Sequence, residues 1–311
     1  MKRPVVAVCG ANPSWQKTLF FDKLIPGKVN RAKKEENYPS GKGVNFCRAL
    51  RCSGLADLRL IQFAGGINGQ RLCAGLDAAG YIHETVVTSA ETRSCITCLD
   101  QNGNMTELIG ASIQILPDEE NDFFQKLQKL LSQADILAIT GSLPDGSNPD
   151  IYQQAAKLAV EKDIPLLFDT LIGIDDIFRL PGKSILKVNR EEFFKITGEN
   201  EIISAHRCAA SRYPGKVFAV TNGGESATLA NDDFLWEYTL PSINVVSPLG
   251  AGDTASAVMS ALYAAGVSEK DAFLQALAAA SANCLTPMAG EFDTANADMI
   301  AGQIKTSQSK L

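Results

Sequence analysis

The chain has 311 residues, 45% hydrophobic and 21% charged; at roughly 150 residues per domain this is either two domains or one large domain with an appendage. Its 25 glycines and 13 prolines are ordinary proportions, which excludes collagen-like, low-complexity and disulfide-stapled miniprotein classes. The 29 basic and 35 acidic residues leave a net charge of −6, so no global positive field gathers nucleic acid or an anionic membrane surface, and any phosphate must be held locally.

The chain opens with Met1, Lys2 and Arg3, but the apolar run after them ends at Gly10, too short for the apolar region of a signal peptide. No stretch approaches the ~18 uninterrupted apolar residues of a membrane span. Cys9, Cys47, Cys52, Cys73, Cys95, Cys98, Cys208 and Cys284 lie mostly in apolar segments, as the reduced thiols of a cytoplasmic protein do.

Short β-rich apolar runs recur at Val5–Cys9, Leu58–Ala64, Asp135–Thr140, Pro165–Asp169, Ser184–Val188 and Val217–Thr221. They are continuous rather than alternating, which is the pattern of strands buried on both faces. Helical stretches separate them. One opens near Gly41 and stops at Gly54; a second covers Pro117–Gln133, with acids first and lysines later; a third runs over Asp150–Glu161, behind Asn148 as cap and Pro149 as first residue. This alternation predicts an α/β fold whose mostly parallel sheet is covered on both faces.

Segments 14–38 and 85–113 break the rhythm, with alternating β-type patterns around Pro26-Gly27 and Asn102-Gly103 and no helix. They predict a small sheet, assembled from two separate parts of the chain, that projects as a lid. Helices return at Asp253–Ala265 and Ser268–Leu285, and the polar tail Lys305–Leu311 is expected to fray.

The most informative stretch is Asn244–Leu262, read as a strand, the turn Gly250-Ala251-Gly252 and a helix whose first turn starts at Asp253. Side-chain-free backbone at Gly250 and Gly252 lets N–H groups converge on an anion at a helix N-terminus. A carboxylate there would repel a merely bound phosphate. It has a purpose if Asp253 takes the proton of a hydroxyl attacking that phosphate while the N–H groups neutralise the developing charge. An acidic helix cap after a glycine turn shows the same local pattern. Gly250-x-Gly252-x-x-Ala255 also fits a dinucleotide fingerprint, but a helix, Ser268–Leu285, stands where the next strand with its acidic ribose ligand is expected. No phosphate-loop lysine motif of the G-x-x-x-x-G-K-[ST] type is present.

Further glycine turns follow the strands. Ser40-Gly41-Lys42-Gly43-Val44-Asn45 opens a helix with Asn45 in its first turn, where an amide can bind a sugar hydroxyl. Gly65-Gly66-Ile67-Asn68-Gly69 and Gly141-Ser142-Leu143-Pro144-Asp145-Gly146 follow the second and third strands, and Thr221-Asn222-Gly223-Gly224 the last. All sit at the carboxyl edge of a parallel sheet, where open α/β folds bind ligands. Asn189 and Glu192 have capping-box spacing behind Lys187, which is compatible with a second role near a Mg-nucleotide. Cys95 and Cys98 would be a zinc or redox half-site, yet on a strand a spacing of three puts the sulfurs on opposite faces, and neither His83 nor His206 stands in a metal-ligand spacing to them.

The order of these turns resembles the ribokinase-like carbohydrate kinases of the phosphofructokinase B family along essentially the whole chain, in particular the branch holding 1-phosphofructokinase, tagatose-6-phosphate kinase and the minor 6-phosphofructokinase. The matching motifs are Asn12-Pro13, Val29-Asn30-Arg31, Gly41-Lys42-Gly43-Val44-Asn45, Gly65-Gly66-x-x-Gly69, Gly141-Ser142-Leu143-Pro144-x-Gly146, Lys187-x-Asn189-x-x-Glu192 and Gly250-Ala251-Gly252-Asp253. The resemblance implies one three-layer αβα kinase domain over 1–311, with the lid formed by about 14–38 and 85–113. By it, Asp253 is the base and Gly250, Ala251 and Gly252 the anion hole. Lys187, Asn189, Thr221, Gly223 and Asn283 fall on the ATP side, with Asn189 and Glu192 ordering Mg²⁺ through water. Gln16, Gly41, Lys42 and Asn45 would meet the sugar, and Lys28, Arg93 and Ser142 match the clamp for a phosphate already on it.

Three positions depart from the family pattern. Gln16 replaces an Asp that binds sugar hydroxyls, Val188 replaces a proline, and Ser226 stands where a small or glycine residue ends the nucleotide loop. The implied activity is transfer of the γ-phosphoryl group to a hydroxymethyl of fructose 1-phosphate, fructose 6-phosphate or tagatose 6-phosphate. The implied assembly is a homodimer through the lid. A kinase of an unphosphorylated sugar or nucleoside, and a nucleotide or sugar-phosphate sensor without turnover, are the alternatives.

Overall fold

Side chains of a strand point alternately to its two faces, so a continuous apolar run stays buried only if both faces are covered. The computed structural model, which describes residues 3–101, 103–112 and 114–311, has that arrangement. Met1, Lys2, Asn102 and Ile113 lie outside the described residues, and with them the start of the basic N-terminus and half of the Asn102-Gly103 turn.

In chain order, β1 (Val5–Cys9), β2 (Ser14–Phe21) and β3 (Lys34–Ser40) precede α1 (Lys42–Ser53), β4 (Asp57–Gly65) and α2 (Gly66–Ala78). Next come β5 (His83–Thr88), β6 (Ser94–Asp100), β7 (Met105–Ile109), α3 (Pro117–Leu131), β8 (Ile136–Thr140), α4 (Ile151–Val160) and β9 (Leu166–Asp169). After α5 (Ile174–Phe178) follow β10 (Ser184–Asn189), α6 (Arg190–Thr197), α7 (Ile202–Arg212), β11 (Val217–Asn222), β12 (Ser226–Ala230) and β13 (Phe234–Thr239). The chain closes with α8 (Ala251–Ala264), α9 (Glu269–Asn283), α10 (Thr294–Ala301) and β14 (Lys305–Lys310).

The larger sheet has the order β14-β13-β12-β11-β10-β9-β8-β1-β4-β5. It is parallel from β11 to β5 and antiparallel beyond β11. Val6 and Val8 of β1 pack under α1, α8 and α9, whereas Ala7 and Cys9 pack under α3 and α4. β1, β4, β8, β9, β10 and β11 each feed both cores in this way, giving three layers. The smaller sheet, β3-β2-β6-β7, combines a hairpin from each of the two non-contiguous segments, joined by the parallel pair β2 and β6.

Several elements differ from the sequence expectation. Residues 85–88 belong to β5 at the edge of the large sheet, so the second segment contributes only β6 and β7 to the small one. The tail does not fray. Its backbone pairs with β13 from Phe234↔Lys310 to Thr239↔Lys305, Trp236 Nε1 donates to Gln308 Oε1 at 3.0 Å, and its polar side chains all face solvent, as suits an edge strand. No strand forms over 244–249, because the N–H groups of Val246 and Ser247 both bind the Cys284 carbonyl at the end of α9. Asn148 caps a turn one step before α4, its Oδ1 accepting from the Asp150 N–H at 3.0 Å. All eight cysteines are free, and among the described residues no helix is long and apolar enough to cross a membrane.

One buried group sets an acid limit on this fold. His206 of α7 is fully buried against Phe193, with Nε2 2.8 Å from Thr228 Oγ1 and Nδ1 without a partner. Burial pushes its pKa down to about 4. The unfolded chain therefore takes up a proton near pH 6.5 that the native state refuses until about pH 4. The native neutral form contributes its full stability above pH 6.5, and about 3 kcal/mol is lost as pH falls through that window. In His206→Gln that slope should vanish, so urea unfolding at pH 7 and pH 4.5 should differ less than in the parent. An equal difference in both proteins refutes the assignment.

Candidate active site

β1 lies between β4, which follows it in the chain, and β8, which comes much later, so the strand order reverses between β1 and β8. Ligand crevices of open α/β sheets form at such a reversal, beyond the carboxyl ends of the strands. Here those ends are Gly10–Asn12 and Thr140–Ser142, and they line a cavity of about 400 Å³ with Lys42, Arg93, Asp169 and Glu192. Gly10 and Gly43 make this possible by backbone contact: a Cβ on Gly10 would lie 2.5 Å from Gly43 Cα, and one on Gly43 2.6 Å from Gly10 Cα. The missing side chain at Gly43 thus makes room for the strand, and it sets the start of α1 directly over the end of β1.

Asp253 occupies the first turn of α8, which begins at Ala251 rather than at Asp253 itself, behind Gly250 in the left-handed region at φ 81°. Its carboxylate is buried, and Oδ2 accepts from Asn45 Nδ2 at 3.0 Å. Burial raises its pKa to about 6; Lys42 pulls it down and Asp169 pushes it up. Among the described residues the N–H groups of Gly252 and Asp253 have no acceptor, so the positive end of α8 is open beside the Asp253 carboxylate. A half-neutral carboxyl near pH 6 beside free N–H donors is suited to general-base chemistry next to an anion.

Asp169, at the end of β9, is the centre of the neighbouring charge cluster. Its Oδ1 binds Lys42 Nζ at 3.1 Å, and its Oδ2 binds Lys187 Nζ at 3.2 Å and Ser256 Oγ at 2.8 Å. Burial disfavours its charge, but Lys187 and Lys42 outweigh that and hold its pKa below the usual carboxylate value. In turn Asp169 raises the pKa of Lys42. Lys187 Nζ also donates to the Gly252 carbonyl at 3.0 Å. A Cβ at residue 252 would come within 3.1 Å of that ammonium, a tight contact that glycine avoids.

Asn189 and Glu192 form the capping box: Asn189 Oδ1 accepts from the Glu192 N–H at 2.8 Å, and Glu192 Oε2 accepts from the Asn189 N–H at 2.9 Å. The carboxylate of Glu192 nevertheless reaches the wall of the cavity shared with Lys42 and Asp169. One carboxylate oxygen held in place, at the wall of a cavity with room for water, is the donor type that suits a hydrated Mg²⁺. Thr221 pairs in register with Asn189 across β10 and β11, and Gly223 forms an open turn beyond it.

Arg93 and Ser142 meet at the same cavity through Asn12, whose carbonyl accepts from Arg93 Nη2 at 3.0 Å and whose Nδ2 donates to Ser142 Oγ at 3.0 Å. Arg93 Nε is buried without a partner. Gly41, at φ 108°, caps α1 against Pro13. Gln16 is buried in β2, its Nε2 donating to Thr97 Oγ1 at 2.8 Å, and Thr97 donates on to Glu107. This leaves Gln16 Oε1 as an acceptor.

Two expected residues stand apart from this group. Lys28 is exposed in the connection between β2 and β3, with its backbone N–H on Ile25. Asn283 is fully buried and ties α9 to α8, its Oδ1 accepting from Thr254 Oγ1 at 3.0 Å. Sequence reasoning passed over Asp169, Ser256 and Arg48. Asp169 could have been noticed as a carboxylate ending an apolar strand at the ligand edge; Ser256 and Arg48 lie inside helices and carry no local signal.

A profile of the pfkB family carbohydrate kinases matches residues 15–295. Among solved structures, Escherichia coli phosphofructokinase-2 in complex with potassium superposes with a TM-score of 0.89 at 20% identity, over 97% of this chain and 99% of that one. The same E. coli enzyme with fructose-6-phosphate gives 0.86 at 20% identity over 97% and 99%. A Thermotoga maritima protein described as a possible 1-phosphofructokinase gives 0.84 at 20% over 98% and 100%. With the family profile covering nearly the whole chain and the fold shared end to end, this chain belongs to the pfkB family of carbohydrate kinases, phosphotransferases that act on sugars.

Proposed function

We propose that the protein transfers the γ-phosphoryl group of ATP to a hydroxymethyl of a phosphorylated ketohexose such as fructose 1-phosphate, fructose 6-phosphate or tagatose 6-phosphate. The observation that carries this reading is the buried Asp253 carboxylate beside the open N–H groups of Gly252 and Asp253. Asp253 accepts the proton of the acceptor hydroxyl as that oxygen bonds to the transferred phosphorus and the bond to the leaving ADP oxygen breaks. Asn45 holds the carboxylate in place, and the N–H groups oppose the charge spread over the transferred group. Lys187, Thr221 and Gly223 lie on the nucleotide side, where Mg²⁺ held through water by Asn189 and Glu192 would offset triphosphate charge. Gln16, Gly41, Lys42 and Asn45 meet the sugar.

The phosphate already on the sugar is assigned to Arg93 and Ser142, with Lys28 reaching in when the small sheet closes as a lid. Arg93 is favoured because its Nε has no partner and Lys42 is already paired with Asp169. Gln16 is the observation that favours the second reading, a free sugar or nucleoside as acceptor, since an amide lacks the charge of the family's Asp. An ATP-consumption assay over phosphorylated and free ketoses decides between them. Turnover is expected with a phosphoketose, and Arg93→Ala should raise its KM about 10- to 100-fold, the value of a charge-assisted hydrogen bond. An unchanged KM assigns the acceptor to the free-sugar class; nucleotide binding without any turnover assigns the chain to a sensor. Association of two copies through the small sheet is supported by Leu108 and Ile109, more than half exposed on β7.

A further inference from the structure

Asn45 can support the base only if its amide is turned with nitrogen toward Asp253, and an asparagine alone has no preference between its two orientations. The ionised carboxylate only accepts and so favours that orientation, Ser40 Oγ donates to Asn45 Oδ1 at 3.4 Å, and a shorter bond from an arginine reinforces it. Arg48, one turn further along α1, is buried, and its Nη1 donates to Asn45 Oδ1 at 3.1 Å. An arginine has donors only, so the oxygen of Asn45 must face it and the nitrogen must face Asp253, where it donates at 3.0 Å.

The same guanidinium reaches two further parts of the site. Nη1 donates to the Ala289 carbonyl at 2.6 Å and Nη2 to the Pro39 carbonyl at 2.8 Å. Pro39 precedes Ser40 and Gly41 at the entry to α1. Ala289 backs the anion turn: a Cβ on Gly250 would lie 2.6 Å from Ala289 Cβ, and one on Gly290 2.3 Å from the Asn45 carbonyl oxygen. The Tyr38 ring lies 5.7 Å from the guanidinium carbon and holds it from the side.

We propose that Arg48 is the positioning residue of the catalytic centre: it orients the Asn45 amide toward Asp253 and braces the Ala289–Gly290 segment behind Gly250. It touches neither sugar nor nucleotide in this role, and the inference rests on Asp253 as the base. The groups facing Asp253 are Asn45 and Lys42 from α1, Asp169 from β9 and Lys187 from β10. Of these only the Asn45 donor depends on Arg48. Losing it removes a hydrogen bond to the ionised form and raises the pKa of the base, so the acid limb of the pH profile moves up.

The test is a double-mutant cycle in the full chain, reading kcat, the pH profile and the unfolding midpoint. Arg48→Lys and Arg48→Gln are made together, so that one unfolded variant leaves the other to be measured, each with and without Asn45→Ala. Either Arg48 variant should lower kcat about 10- to 100-fold and shift the acid limb upward. In the Asn45→Ala background the same change should cost clearly less than in the parent, because the amide it orients is gone and only the bracing of Ala289 remains to be lost. Additive losses, or a fall in unfolding midpoint with an unmoved pH profile, reduce Arg48 to a structural role and overturn the proposal. The separate variant Asp253→Asn distinguishes the two levels: if it keeps turnover, the reading of the base is wrong, and if it abolishes turnover while the cycle is additive, only the inference about Arg48 fails.

Discussion

Replacing Asp253 by Asn should lower kcat by at least 10²- to 10⁴-fold, the usual contribution of a positioned general base, while making the protein harder to unfold. The two effects have one cause. Burial raises the Asp253 pKa to about 6, so at neutral pH the native state holds an ionised carboxylate that it would rather protonate. A folded pKa above the unfolded value means that stability is fully present below the unfolded pKa and is lost as pH rises through about 6. From the usual 3.8 to about 6 this amounts to roughly 3 kcal/mol at pH 7. Asn keeps the shape and an oxygen for Asn45 Nδ2 without the charge, so its unfolding midpoint at pH 7.5 should lie several degrees above the parent's, and the difference should shrink toward pH 5. The parent's kcat/KM should fall below about pH 6 as the base is protonated. Parent-like turnover in Asp253→Asn, or a lower midpoint, contradicts this account.

The largest loss of stability is expected from Asp169→Asn. The substitution leaves Lys187, only 4% exposed, without its carboxylate and facing Lys42 across the site. Breaking one side of a buried ion pair costs about 3–5 kcal/mol, because the remaining charge stays desolvated. Since Lys187 and Lys42 hold the Asp169 pKa down, its contribution is present above the ordinary carboxyl pKa and disappears only as pH falls through the lower folded value, in strong acid. Chemical unfolding at pH 7 should show the deficit, and Lys187→Met in the same chain should restore much of it without restoring turnover. If Asp169→Asn unfolds like the parent, the cluster does not work as a neutralised unit.

Much of the fold could be read from local pattern. The apolar runs of β1, β4, β8, β9, β10 and β11 are continuous because both faces are buried, and glycine turns end β1, β4, β8 and β11 at one edge. The elements that escaped lie where local pattern and long-range pairing part company. Lys305–Lys310 is as polar as a disordered tail and becomes β14 only because β13 offers an unpaired edge. Residues 85–88 alternate like the small-sheet strands, yet they join the large sheet because β4 has a free side.

The site divides in the same way. Asp253, Asn45, Asn189, Glu192 and the strand-end glycines could be singled out as candidates because their patterns are local: a carboxylate in a first helical turn, or a box with a spacing of three. Asp169 and Arg48 are contacts between segments more than a hundred residues apart, Asp169 with Lys42 and Arg48 with Ala289. The sequence alone determined which residues can carry a proton or an anion. Only the tertiary structure decided which charges neutralise one another and how deeply Asp253 is buried, because desolvation and partner distance, and with them the pKa of Asp253, exist only once α1, β9, β10 and α8 converge on one edge of the sheet.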